Sequence, residues 1–467
     1  MIDTPRSNNP LRIAVALSIL VTAAIFALTL HDVLHYPGVD LRNRIVGARL
    51  MHAHLNPYPD PGPFQPIERY RMFKLNTGSP ALLAFYAPLR GLPYTAARLL
   101  LFAFDWICIA FMFWQTRTWL PQTSPARASR YRAFHSVLFT LLLIADFALR
   151  LNIGEGQYYL MVAALVTAAI SSWRSPDGAR GWIGAVALSL LLLLRPVSLI
   201  VFPILWLQGC GKQAMRSAVT SAIFAGIMLA AFGAQPWAGY FAMASGMMQR
   251  ETSAIFTQAV PSASTTQAPP VDTGTIPYWK VEGQDFSRMF RSNYAVTRAP
   301  VSFCAIQQTI RPSCARLFRT AEIISRVNTS LLVLTALYCL VIAYRLRNST
   351  TDLKLGFAFL APILLETFGP AKYAYADVTL APVLLLILAI LLQQHDWQQL
   401  RHGAALVLAL CALSSLGPYV LSSTAKPIIV LSLSRWIVLL FFANAVFLKA
   451  ALHPRASPVP AVSTVSA

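Results

Sequence analysis

Long apolar runs separated by short polar connections dominate the chain, falling at about 11–30, 95–116, 134–150, 158–172, 182–194, 196–208, 217–235, 327–345, 355–369, 376–393, 404–421 and 428–450. Runs of ~17–25 apolar residues can cross a ~30 Å hydrocarbon layer as helices. A helix also satisfies its own backbone where no water is present. The pattern predicts an all-α, polytopic transmembrane bundle of about twelve spans. A different periodicity follows the first run, where Leu41, Ile45, Ala48 and Met51 recur at 3–4 spacing with Arg42 and Arg49 off the stripe. This predicts an amphipathic helix lying in the membrane interface, its basic side toward headgroups. The prolines of "NPYPDPGPFQP" must end it. "SPALLAFYAPLRGLP" then returns as a short apolar element too interrupted by proline to span.

The polar connections set the expected orientation. "RTWLPQTSPARASRYR", "WRSPDGARG", "GKQAMR" and "RLRNSTTDLK" hold most of the short-loop Lys and Arg, and all fall on one side. Positive-inside logic places that side, and both termini, in the cytoplasm. Two long segments, 31–94 and 236–326, then lie outside. The expected organisation is an N-terminal transmembrane module over 1–235 that includes the first outer loop, a large outer loop over 236–326, C-terminal helices over 327–453 and a disordered tail over 454–467. The first run lacks a small-residue cleavage site and reads as an anchoring span.

Composition agrees: 56% of the 467 residues are hydrophobic and 12% charged, and the mean hydropathy is +0.55. The net charge of +20 suits anionic headgroups or an anionic substrate. Nucleic acid is disfavoured, because the basic residues are spread among connecting loops. Cys108, Cys339 and Cys411 fall within apolar runs and read as small core residues. Cys304 and Cys314 stand close together in the largest polar segment; they would pair in an oxidising compartment, and spacing leaves that open.

Charges beside or within membrane helices are costly and mark candidate function. Asp40, Asp146, Arg150, Glu155, Arg195, Glu366, Lys372 and Asp377 all fall at the outer ends of predicted spans, while Asp105 lies nearer mid-membrane. They suggest a polar cavity open to the outside and lined by several helices. Plainer roles compete. Asp146 and Arg150, four apart, suit a local pair. Asp40 suits a helix N-cap, and Asp105 suits a bond to a neighbouring helix. His31, Asp32 and His35 have ligand-like spacing, but interfacial histidines are the commoner case and no metal is expected. Tyrosines and tryptophans near span ends read as belt residues.

"GVDLRNRIVGARLMHAHLNPYP" resembles the signature that follows the first span in glycosyltransferase family 87. "SPALLAFYAPLRGLP", "LNIGEGQYYLMVAAL" and "LLLLRPVSLIVFPILWL" resemble that family's Pro-rich segment, Gly-Gln turn and Lys-Pro hairpin, in the same order, with Arg195 in place of the lysine. "FGPAKYAYADVTLAPVLL" resembles a later stretch, with Tyr375 where a histidine is usual.

The resemblance implies a GT-C-type membrane enzyme that moves a mannose-like hexose from a polyprenyl-phosphate donor to a lipid or glycan acceptor. It implies inversion at the anomeric carbon, on the outer face of a bacterial inner membrane. Asp40 takes the base position by that likeness; Arg195 and Lys372, backed by Arg42 and Arg44, are phosphate candidates; Gln157 and Tyr375 complete the substrate-binding set. A monophosphate leaving group beside cations needs no divalent ion, so no cofactor is expected. A transporter or lipid flippase, and a noncatalytic glycolipid-binding subunit, are the alternative readings.

Overall fold

The computed structural model describes residues 9–36, 38–58, 78–174, 178–244, 280–282, 284–285, 321–367, 374–394 and 425–453. These are helical apart from turns and one two-residue antiparallel pair, β1 (Lys280–Val281) and β2 (Gln284–Asp285). Five helices are long and apolar enough to cross a membrane: Arg12–His35, Tyr94–Thr118, Gly211–Phe232, Thr329–Asn348 and Ala376–Gln394. A sixth is a pair bent by 52°, Arg127–Ile144 with Phe147–Glu155. Among the described residues, then, five helices, or six if the bent pair is one span, reach that length, against about twelve expected over the whole chain. Several of the other expected spans are shorter apolar helices, and 404–421 and the tail lie outside the description.

In chain order the helices are α1 (Asn9–His35), α2 (Val39–His52), α3 (Pro80–Tyr86), α4 (Tyr94–Thr118), α5 (Pro125–Phe139), α6 (Phe147–Glu155), α7 (Tyr159–Trp173) and α8 (Ala179–Leu194). Then come α9 (Val201–Leu207), α10 (Gly211–Phe232), α11 (Ala321–Arg345), α12 (Thr351–Thr367), α13 (Ala381–Gln394) and α14 (Ala425–Leu452). Residues 236–244 and 321–326, expected to be outer loop, are helical. The pair expected at 182–194 and 196–208 is α8 followed by a tight 3-10 turn, Pro196–Ile200, and the seven-residue α9. Pro196 removes the donor that would have continued the helix.

Apolar pattern sorts these helices by depth. α13, apolar on every side, has 83% of its window buried and forms the centre. In α1 and α10 only 17% is buried, and both present Leu and Ile outward, as lipid-facing helices do. Phe447 of α14 is fully buried with its ring 5.8 Å from that of Phe357 of α12, closing the C-terminal helices on the core.

The bend between α5 and α6 has a local cause. Thr140–Ile144 form a π-turn, which carries an extra residue per turn and interrupts the ladder. Asp146 then starts α6 afresh, its carboxylate accepting from Ala148 N at 3.1 Å. The expected Asp146–Arg150 pair is not the one formed: Arg150 Nη2 donates to Asp32 of α1 at 3.0 Å. α6 ends at Gly156, whose φ of +65° is the left-handed conformation that glycine adopts without strain.

Helix direction separates two ends of the bundle. At the end where α7 finishes and α12 starts, Arg174 Nε donates to Asp352 at 2.8 Å, joining two of the basic connections that charge bias places on one side. At the other end lie the starts of α4 and α7, the finish of α6, and α2. The basic side of α2 faces protein and not headgroups. Every residue from Val39 to Met51 is buried, Arg42 and Arg49 included, because partners from distant segments cover the basic side.

Two substitutions test this packing. Phe447→Ala should lower stability by about 3 kcal/mol, read as a reduced thermal midpoint of the purified protein. A Cβ added at Gly156 would meet Leu41 Cβ at 2.6 Å, in a backbone region that already costs an L-residue ~1–2 kcal/mol. Gly156→Ala should therefore destabilise by at least ~2 kcal/mol in the same measurement.

Candidate active site

α2 carries the charged residues of the site, and its entrance explains their placement. Gly38 precedes it with φ +61°. Tyr94 Oη donates to the Gly38 carbonyl at 2.6 Å, which pins the turn to the start of α4. Gly38, not Asp40, is therefore the N-cap, and Asp40 stands inside the first turn. Its carboxylate is freed from capping and aimed at the α6–α7 turn.

There Gln157 bridges two charges. Its Nε2 donates to Asp40 Oδ2, and its Oε1 accepts from Arg44. Arg44 also donates to the Gly156 carbonyl at 3.0 Å, and Tyr86 Oη reaches the same oxygen at 3.1 Å. The amide is thus held at both ends, which fixes the direction from which it meets Asp40. Asp40 is only 3% exposed, so an oriented amide and a nearby guanidinium replace most of its water.

A second cluster lies further along α2. Arg42 Nη1 donates to Glu282 at 2.7 Å and Arg49 Nη1 to the same carboxylate at 2.6 Å. Arg49 Nε also donates to the Arg90 carbonyl at 2.9 Å. Burial lowers the Arg42 pKa below the ordinary guanidinium value, and the Glu282 charge pushes it back up.

Arg195 forms a third cationic position, paired with Glu366 at the end of α12 and lying 4.9 Å from the Tyr159 ring centroid. Tyr158 and Tyr159 stack at 4.6 Å, and Arg44 sits 5.1 Å from the Tyr158 ring. Two stacked tyrosines therefore separate Arg44 from Arg195. Both cations rest on an aromatic face, which favours charge in a desolvated place.

Behind this polar layer is a cavity of about 590 Å³ among α3, α4, α7, α8 and α10, walled by side chains such as Phe85, Phe104, Met161, Leu194 and Met228. Met161 and Leu194 also pack in one cluster with Leu41 and Ile45 of α2 and with Tyr86. The apolar stripe of α2 thus backs onto the cavity wall, while its polar side meets Gln157 and Glu282. Asp105 of α4 lies between the wall residues Phe104 and Cys108, 1% exposed. The helix-to-helix bond expected of it is not made: its Oδ2 has no hydrogen-bond partner among the described residues.

Of the residues singled out in the sequence, Asp40, Arg44 and Gln157 meet directly. Arg42 joins Glu282 instead, and Arg195 joins Glu366. Lys372, the side chain of Tyr375, and Cys304 and Cys314 lie outside the described residues. His31 and His35 stack on each other at 4.2 Å, while Asp32 is bound to Arg150. Tyr86 and Tyr94 are buried donors and not belt residues. Glu282, Arg49 and Arg98, whose Nη2 donates to the Gly154 carbonyl at 3.0 Å, were not singled out as site residues. Arg49 stood in the periodic pattern of α2, but Glu282 lies in a long polar segment with no motif to single it out.

No curated protein matches the chain. Residues 76–282 match the family model of glycosyltransferase family 87. That stretch includes Tyr86, Gln157, Arg195, Glu282 and every wall residue of the cavity. The match thus covers the partners that meet α2 and the cavity behind them, while α2 itself lies before it.

Proposed function

We propose that the protein transfers a hexose, mannose-like, from a polyprenyl-phosphate donor to an acceptor hydroxyl, inverting the anomeric carbon. The site faces the outside of a bacterial inner membrane, with both termini in the cytoplasm. The observation that carries this reading is the buried Asp40–Gln157–Arg44 chain backed by an apolar cavity. A volume of 590 Å³ lies within the range of small-molecule sites, and its almost wholly apolar wall suits an isoprenoid chain better than a sugar.

In this reading the acceptor oxygen attacks the anomeric carbon from the face opposite the phosphate. The new carbon–oxygen bond forms as the bond to phosphate breaks, and the bonding pair leaves on the phosphate oxygen. Asp40 takes the hydroxyl proton. Gln157 orients the carboxylate, while Arg44 fixes Gln157. Arg195, Lys372 and Arg42 are the cations available to the phosphate, and Tyr375 follows Lys372 closely in sequence. Positive groups fixed in a dry site stabilise the departing charge without reorganising at the moment of reaction. Holding donor and acceptor in line supplies much of the remaining rate.

Purified protein incubated with labelled polyprenyl-phosphate sugars and a native lipid extract should yield a glycosylated product. Asp40→Asn keeps the shape and removes the basicity; turnover should fall by at least ~100-fold, and a folded variant with normal turnover would remove Asp40 as the base. Gln157→Ala should lower kcat by up to ~100-fold through misaligned groups, with donor KM little changed. For orientation, Thr265→Cys should be labelled in intact cells by an impermeant thiol reagent; labelling only after membrane disruption would reverse the assignment.

A further inference from the structure

Arg42 and Arg49 are 1% and 6% exposed, yet both guanidiniums close on one carboxylate that is itself 26% exposed. Two cations side by side with little water are costly unless an anion lies between them. Glu282 supplies that anion from a segment 240 positions away in sequence. It does so under strain, since its φ of +50° lies in a region that side-chain-bearing residues seldom occupy.

We propose that Arg42 and Arg49 form a phosphate-monoester site for the departing lipid phosphate, and that Glu282 is the internal anion the phosphate displaces. The inference rests on the transfer reaction proposed above. In that reaction the donor phosphate is a diester with one negative charge. Once the anomeric bond breaks, it becomes a monoester carrying about −1.5 to −2 at pH 7. Two guanidiniums match the second state better than the first, so the site favours the charge that develops as the bond breaks. Phosphate oxygens offer the acceptor geometry that guanidiniums engage best. The greater exposure of Glu282 leaves the anion position reachable once that one side chain withdraws.

Binding of farnesyl phosphate to the full-length protein in nanodiscs tests this without requiring any sugar transfer. If Glu282 fills the site about nine-tenths of the time, Glu282→Gln should tighten farnesyl phosphate binding about tenfold. Arg49→Gln should weaken it by a similar factor, and farnesol binding should be unchanged in both. A merely structural tie predicts the opposite sign for Glu282→Gln, so equal or weaker binding overturns the proposal. Should that variant not fold, Glu282→Asp keeps the charge on a shorter arm. It should tighten binding by a smaller factor, and no tightening would be equally fatal. Inorganic phosphate binding as tightly as farnesyl phosphate would assign the site to the free ion and overturn the lipid assignment. Normal sugar transfer with unaltered binding in the variants would sink this inference alone, whereas absent transfer with the expected binding changes would sink only the proposed reaction.

Discussion

Everything at this end of the molecule follows from burying α2. A helix that contributes Asp40, Arg42, Arg44 and Arg49 would be stable at a wet surface with no partners at all. Packed inside the protein, each charge loses water at a cost of several kcal/mol unless another group replaces it. The replacements come from far along the chain: the α6–α7 turn for Arg44 and Asp40, the Glu282 turn for Arg42 and Arg49. Tertiary structure here is therefore specified by polar matching as much as by apolar contact. The apolar stripe of α2 settles which way the helix faces, and its polar residues settle what must meet it.

The arrangement separates chemical duties that sequence order mixes together. Asp40 and Arg42 are two residues apart, which on a helix directs them to different sides. The carboxylate meets an amide held by another cation, while Arg42 meets a carboxylate shared with Arg49. A carboxylate and a cationic cluster can then stand near each other without quenching one another. Tyr158 and Tyr159 act similarly between Arg44 and Arg195, spacing two positive charges with aromatic faces.

Much of the architecture was legible in the sequence where a single local property decides it. The expected run 376–393 contains most of α13, whose apolar character is unbroken, and the expected boundary between 182–194 and 196–208 falls where α8 ends. The Asp40, Gln157 and Arg195 positions were found by resemblance, in segments with strong local pattern. The burial of α2 was not legible, because amphipathic spacing looks the same whether the basic side meets headgroups or protein. Only a partner 240 positions away distinguishes the two cases, and nothing in the surrounding sequence marks Glu282. The pairing of Arg150 with Asp32 in place of Asp146 has the same origin. Sequence proximity suggested one acid, and the break at the π-turn committed it to starting α6.

That break has one more effect. By turning α6 through 52°, it brings the helix's C-terminal carbonyls to Arg98 and Arg44, which bond the Gly154 and Gly156 oxygens. Aligned peptide dipoles give such a terminus roughly half a negative charge. The bundle can therefore neutralise part of its buried cationic character with backbone alone, which asks less charge compensation of the acidic side chain at position 40.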